Sequence, residues 1–135
     1  MFDIDCNWQQ IYSDLSDTPK LKQVMDSNPG MRLPGSWDPF EFSIRAILGQ
    51  QISVKAATTL ANRIVNSFGS STNIDGKKIH LFPTPEQLTG VDFTKIGVTR
   101  KRNETLVNWV NFYQENIKLF STAVDLNEFI STLCA

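Results

Sequence analysis

Asp38-Pro39-Phe40-Glu41-Phe42-Ser43-Ile44-Arg45-Ala46-Ile47-Leu48-Gly49-Gln50-Gln51-Ile52-Ser53 is the stretch from which the fold can be read. Its first four residues spell a helix start. Asp38 offers a carboxylate to the orphan amides, Pro39 sits where a missing N–H costs nothing, and Glu41 completes a variant of the capping box. Phe40, Ile44, Ile47 and Leu48 then recur at helical spacing and form one apolar stripe. Gly49 is expected to close this helix in a left-handed conformation. Gln50-Gln51-Ile52 is too short for more than a corner, and Ser53 caps the next helix. That helix should run to about Phe68 with Ala57, Leu60, Ala61, Ile64 and Val65 inward. The reading is an αα-hairpin with a short polar tip.

Working outward, nearly every periodic segment is again helical. Asp17 or Thr18 caps a helix through Leu21, Val24 and Met25 that ends at Asn28-Pro29-Gly30. Met31 to Trp37 contains Pro34-Gly35 and reads as an irregular connection. Residues 69–81 read as a mobile surface loop. Thr84-Pro85-Glu86-Gln87 starts a short helix, and Asp92 to Ile96 forms one more turn, broken by Gly97. Thr99 is expected to cap a long helix to about Leu119, carried by Leu106, Trp109, Val110 and Tyr113. Asp125 and Glu128 open a final helix with Leu126, Phe129, Ile130 and Leu133. It ends without a Gly, Asn or basic last turn, so the chain reads as a piece cut from a larger domain. The class is all-α, a helical bundle forming a single partial domain over residues 1–135.

The overall net charge of −1 hides an uneven distribution. Residues 31–120 hold eleven of the thirteen basic groups and seven acids, a local net of +4, which is compatible with an electropositive face. Cys6 and Cys134 are the two cysteines and His80 the single histidine, which argues against a disulfide framework, a zinc site or any other metal site. Free thiols suit a reducing cytoplasm, and no apolar run is long enough to cross a membrane.

Three blocks carry a resemblance. Met31-Arg32-Leu33-Pro34-Gly35-Ser36-Trp37-Asp38-Pro39-Phe40-Glu41 runs on into Arg45-Ala46-Ile47-Leu48-Gly49-Gln50-Gln51-Ile52-Ser53. Phe82-Pro83-Thr84-Pro85-Glu86-Gln87-Leu88 and Ile96-Gly97-Val98-Thr99-Arg100-Lys101-Arg102-Asn103 follow at family spacing. With these, the chain resembles the bacterial 3-methyladenine DNA glycosylase II group of the helix-hairpin-helix DNA glycosylase superfamily, from about Phe2 to Leu133. The resemblance implies base excision: an alkylated purine is extruded from double-stranded DNA and its N-glycosidic bond is hydrolysed, without a cofactor. It also implies that the Gln50-Gln51 corner fills the vacated space from the minor groove, with Gln51 at the wedge position. Several relatives have an apolar wedge there; a glutamine both occupies the gap and hydrogen-bonds the estranged base. Without the resemblance, the same two amides read as a solvated polar turn.

The departures are as informative. The superfamily's Gly-hydrophobic-Gly turn, which presents amides to a DNA phosphate, has no counterpart, since the glycines stand at 30, 35, 49, 69, 76, 90 and 97. By the resemblance, that hairpin would begin just after Leu133 and the catalytic aspartate further on. The small β-rich domain that precedes the point matching Met1 in the bacterial group is likewise expected to be missing. No catalytic residue is therefore assigned, and the chain alone is expected to be inactive. Asp38, Asp92 and Asp125 all sit at helix starts and read as caps. Arg100-Lys101-Arg102 are candidate phosphate contacts, because positive charge at a helix start opposes the macrodipole and invites an explanation; a solvated charged turn is the plainer one. Trp109 belongs to the stripe of its helix, Trp37 is expected to pack beneath Pro34-Gly35, and His80 is an ordinary loop residue. Cys134 reads as a small buried hydrophobe of the complete protein. A non-catalytic DNA-binding module and a purely structural fragment are the competing readings. Apolar surface uncovered on the last helix should favour a homodimer.

Overall fold

The computed structural model describes residues 6–32, 35–121 and 126–134. The chain divides into two units, Met1–Trp37 and Asp38–Ala135, where the sequence reading had a single domain.

In the first unit, α1 (Trp8–Ser16) and α2 (Pro19–Ser27) form a helical pair. Helix α1 is not among the helices expected from the sequence. Its signals are nevertheless local, since Asn7 accepts from the Gln10 amide at 3.2 Å and Trp8, Ile11 and Leu15 recur at helical spacing. Thr18 and Pro19 open α2 as expected. Of its three apolar residues only Met25 is buried, because Leu21 and Val24 are about half exposed. A polar clasp ties the pair: the Tyr12 hydroxyl donates to Asp26 at 2.6 Å, and the Lys22 ammonium donates to both. The Tyr12 hydroxyl and then Lys22 hold the Asp26 carboxyl below the usual carboxylate range.

The second unit is built on α3 (Pro39–Gly49) and α4 (Val54–Phe68), the αα-hairpin read from the sequence. Asp38 accepts from the Phe40 and Glu41 amides at 2.7 and 3.2 Å, and Ser53 accepts from the Ala56 amide at 3.2 Å. Phe40, Ile44 and Leu48 of α3 are buried together with Leu60, Ala61 and Ile64 of α4. Gly49, however, does not close α3 in the left-handed region. It stays helical, and the left-handed residue is Gln51, at φ 58°.

Residues 69–81 are not a structureless loop. They form an antiparallel hairpin of β1 (Ser71–Ile74) and β2 (Lys77–His80), turning through Asp75 and Gly76, both at positive φ. The Asp75-Gly76 signal was present, but each strand has four residues and exposes all of them, so no buried face imposes an alternation. His80 ends β2, exposed. The class remains all-α, since this hairpin is the only sheet among the described residues.

Thr84 and Gln87 then cap one another around a 3-10 turn, Glu86–Leu88, with the Gln87 side chain accepting from the Thr84 amide at 2.9 Å. A second turn, Phe93–Ile96, is capped by Asp92 and ended by left-handed Gly97, as expected. Helix α5 (Arg100–Glu115) starts after Thr99 but stops at Asn116, short of Leu119. There the Asn116 side chain donates back to the Phe112 carbonyl at 2.9 Å, and α6 (Ile117–Ser121) continues. Phe93, Leu88, Leu106, Val110 and Tyr113 complete the core. Helix α7 (Leu126–Cys134) follows; its expected cap, Asp125, lies outside the described residues. Ile130 and Leu133 are exposed on α7, as is Cys134.

Gly69 joins α4 to the hairpin, and a Cβ there would lie 2.2 Å from the Leu81 carbonyl oxygen and 2.5 Å from that of Val65. Both are backbone atoms that cannot swing aside. Gly69→Ala is therefore expected to cost at least about 2 kcal/mol, in the range of overpacked sites. The urea midpoint measures it, and an unchanged midpoint would contradict this packing.

Candidate functional site

The corner between α3 and α4 is where the sequence placed its two site glutamines. Gln50 leaves the helix at φ −60°, ψ 126°, while its amide still reaches the Ile47 carbonyl at 3.4 Å. Gln51 takes the left-handed conformation and Ser53 has already begun to cap α4. Ile52 turns inward and packs against the core, whereas Gln50 and Gln51 are both exposed. The corner thus anchors one apolar residue and presents two amides.

A left-handed L-residue costs roughly 1–2 kcal/mol relative to the right-handed form. Gln51 has no glycine's freedom, so neighbouring structure must hold it there. Part of the hold comes from α5. Arg102 lies four residues before buried Leu106, hence on the face that α5 turns toward α3. Its Nη2 donates to the Gln50 carbonyl oxygen at 2.6 Å, joining positions 52 apart in the chain. A charge-assisted bond contributes about 1.5–3 kcal/mol when shielded and less near water, so this exposed clasp offsets part of the backbone cost.

Arg102 was expected to face phosphate; in the structure at least one of its donors is engaged at the corner. Arg100 approaches Glu104 at 3.3 Å across a highly exposed pair, which contributes little. Lys101 is exposed. Gln50, Gln51, Ile52, Thr99, Lys101 and Arg102 line one recess of about 420 Å³, so the structure brings both glutamines together with two of the three predicted cations, Arg100 lying outside its lining. Thr99, expected as the cap of α5, makes no side-chain cap bond, and three cations crowd the first turn, where the macrodipole disfavours them.

A second groove of about 310 Å³ lies along α5, lined by Ile47, Thr105, Asn108, Trp109, Phe112 and Leu133. Trp109 stacks with Phe112 at 5.6 Å, and its Nε1 donates to Ser43 Oγ at 2.6 Å, which in turn donates to the Phe40 carbonyl. Sequence reasoning placed Trp109 on the core stripe; it packs against that core and also forms the wall of this groove. Deeper in, Tyr113 lies 4.9 Å from Phe40, and burial pushes its hydroxyl up from the ordinary tyrosine range. Trp37 does not pack beneath a turn as expected: it is 86% exposed, and the core stripe begins only at Phe40.

Of the three aspartates expected as caps, Asp38 and Asp92 are caps, and Asp125 lies outside the described residues. Asp38 is committed to the start of α3. Asp92 accepts from the Thr94 hydroxyl at 2.6 Å and its amide at 3.0 Å, which hold the carboxyl below the usual range. Among the described residues no group of His, Cys, Asp and Glu is clustered to hold a metal, and no helix is long and apolar enough to cross a membrane.

The corner's geometry makes a direct demand on residue 51. Gln51→Gly should leave stability within about 0.5 kcal/mol, since relief of the left-handed cost offsets the glycine's unfolded-state entropy. Gln51→Val should cost about 1–2 kcal/mol more than the glycine variant. Urea unfolding of both measures the difference, and equal midpoints would remove the constraint.

Comparison with known proteins matches residues 44–123 to the HhH-GPD superfamily base excision DNA repair protein model. Residues 1–38 match the AlkA N-terminal domain model. The chain is 32% identical over 136 residues to DNA-3-methyladenine glycosylase 2 of Escherichia coli K12, covering 98% of this chain and 46% of that protein. It is 36% identical over 107 residues to a probable bifunctional transcriptional activator/DNA repair enzyme AlkA of Mycobacterium tuberculosis, covering 78% and 22%. Among solved structures, the apo form of Clostridium acetobutylicum 8-oxoguanine glycosylase/lyase superposes with TM-score 0.72 at 25% identity, covering 98% of this chain and 47% of that one. The chain thus spans less than half the length of each of these relatives.

Proposed function

This chain belongs to the HhH-GPD superfamily of base excision DNA repair proteins, and from that premise we propose that it is the wedge-bearing part of a DNA glycosylase's helical domain. The reaction is removal of alkylated purines from double-stranded DNA: the nucleotide is extruded and its N-glycosidic bond hydrolysed by water. The observation that carries this reading is the exposed Gln50-Gln51 corner, held rigidly between two packed helices with residue 51 left-handed. In such a reaction the corner enters the minor groove. Gln51 fills the space the base leaves, and its amide pairs with acceptors and donors of the estranged partner. Lys101 and Arg102, which line the same recess, contact phosphates, as does Arg100 beside them on the first turn of α5; Arg102 does so with donors other than the one on Gln50.

Alkylated rather than oxidised purine is favoured because the 3-methyladenine enzyme is the more similar in sequence, although the 8-oxoguanine enzyme shares the fold. No residue described here is assigned as the catalytic acid, Asp38 and Asp92 being engaged as caps, and no cofactor is assigned. We place the protein in the cytoplasm, where the free thiols of Cys6 and Cys134 stay reduced. Exposed Ile130 and Leu133 support self-association through α7. Sedimentation across a concentration range should then show a dimer, and a monomer throughout would exclude one.

Binding of this chain to duplex DNA should weaken steeply as salt is raised, with log K falling linearly with log salt. Lys101→Gln should flatten that slope by about 0.9, the contribution of one neutralised phosphate. Gln51→Ala should leave the slope as it is. Fluorescence anisotropy at several salt concentrations makes the measurement; a salt-independent affinity, or none at low salt, overturns the DNA-binding reading.

A further inference from the structure

Residues 50–53 receive one hydrogen bond from a distant element among the described residues, and it comes from Arg102. The remaining bonds at the corner are local: Gln50 to Ile47, and the Ser53 cap with Ala56 and Ala57. We propose that Arg102 is a positioning residue for the wedge, its guanidinium on the Gln50 carbonyl holding the corner in the conformation that projects Gln51. The proposal rests on the minor-groove reading above and adds to it a residue acting through the wedge's backbone.

Three observations converge on this role. The bond falls on the carbonyl immediately before the left-handed residue, so it restrains the peptide unit joining Gln50 to Gln51, whose rotation sets where the Gln51 side chain points. The donor sits four residues before Leu106, which is fully buried, so the root of Arg102 is fixed by the core while its head reaches the corner. The charge also stands in the first turn of α5, against the macrodipole, and the Gln50 carbonyl supplies the acceptor that offsets this placement. A lysine there offers a single-point donor of similar length without the planar fork.

Arg102 and Lys101 should therefore separate experimentally, although they are adjacent. Arg102→Gln, Arg102→Lys and Lys101→Gln are made in the 135-residue chain. Amide NMR without DNA reports the corner, and a duplex carrying 2-aminopurine at the wedge site reports base unstacking at saturating protein. In Arg102→Gln, the Gln51 and Ile52 amides should shift or broaden while those of Leu60 and Val110 hold still. The 2-aminopurine signal should fall about three- to tenfold, the equivalent of one net hydrogen bond. Arg102→Lys should recover much of both. Lys101→Gln should leave the two amides in place and change mainly the salt slope. Unmoved Gln51 and Ile52 amides in Arg102→Gln would falsify the clasp, as would a fall in unstacking of equal size in Lys101→Gln. If the amides move but the unaltered chain gives no unstacking signal, the clasp stands and the minor-groove reading falls.

Discussion

Burial of Ile44 and Leu48 against Ile64 and Ala61 is the contact on which the remaining geometry depends. Each large aliphatic side chain removed fully from water contributes about 1.5–3 kcal/mol. Together they outweigh the cost of one left-handed residue. The two helix faces therefore choose their own alignment, and the chain between them must reverse direction within Gln50, Gln51 and Ile52. Reversal in so few residues drives one of them to positive φ. Ile52 is drawn inward by the same core, which leaves the two glutamines outside. The exposed amides are a by-product of close packing beneath them, and that packing gives the tip its rigidity.

Helix α5 converts this hairpin into a site. Its buried stripe at Leu106, Val110 and Tyr113 lays it alongside α3, and the turn before the stripe then falls beside the corner. Three cations in sequence are thereby distributed by helical geometry into different settings. Arg102 lies on the inward face and meets the Gln50 carbonyl; Arg100 and Lys101 remain toward solvent. Further along the helix, Trp109 and Phe112 shape an apolar groove, and Trp109 is oriented by a hydrogen bond to Ser43 of α3. One helix therefore contributes charge at its start and aromatic surface along its length.

Much of this was written locally. The caps at Asp38, Ser53, Thr84 and Asp92 each work through a side chain and an amide two or three residues away, so they follow from neighbours alone. The apolar stripes of α3, α4 and α5 are periodic patterns and were equally legible. The hairpin at 71–80 was not, because strands exposed on every residue carry no alternation to read. Helix α5 ended early because Asn116 returns a side-chain bond to Phe112, which apolar spacing beyond that point does not reveal.

By itself, the sequence determined that the chain is helical, where most of its helices begin, which faces they bury, and that glutamines occupy the corner. Those properties depend on contacts between residues a few positions apart. Only the tertiary structure decided which corner residue is left-handed. Local preference pointed to Gly49, but the packed helices fix the path of the chain and assign that conformation to Gln51. Only the tertiary structure, too, distinguished Arg102 from its two basic neighbours, because its partner is 52 positions away and is a backbone carbonyl. Every residue has such a carbonyl, so no pattern of residue types could have named that partner.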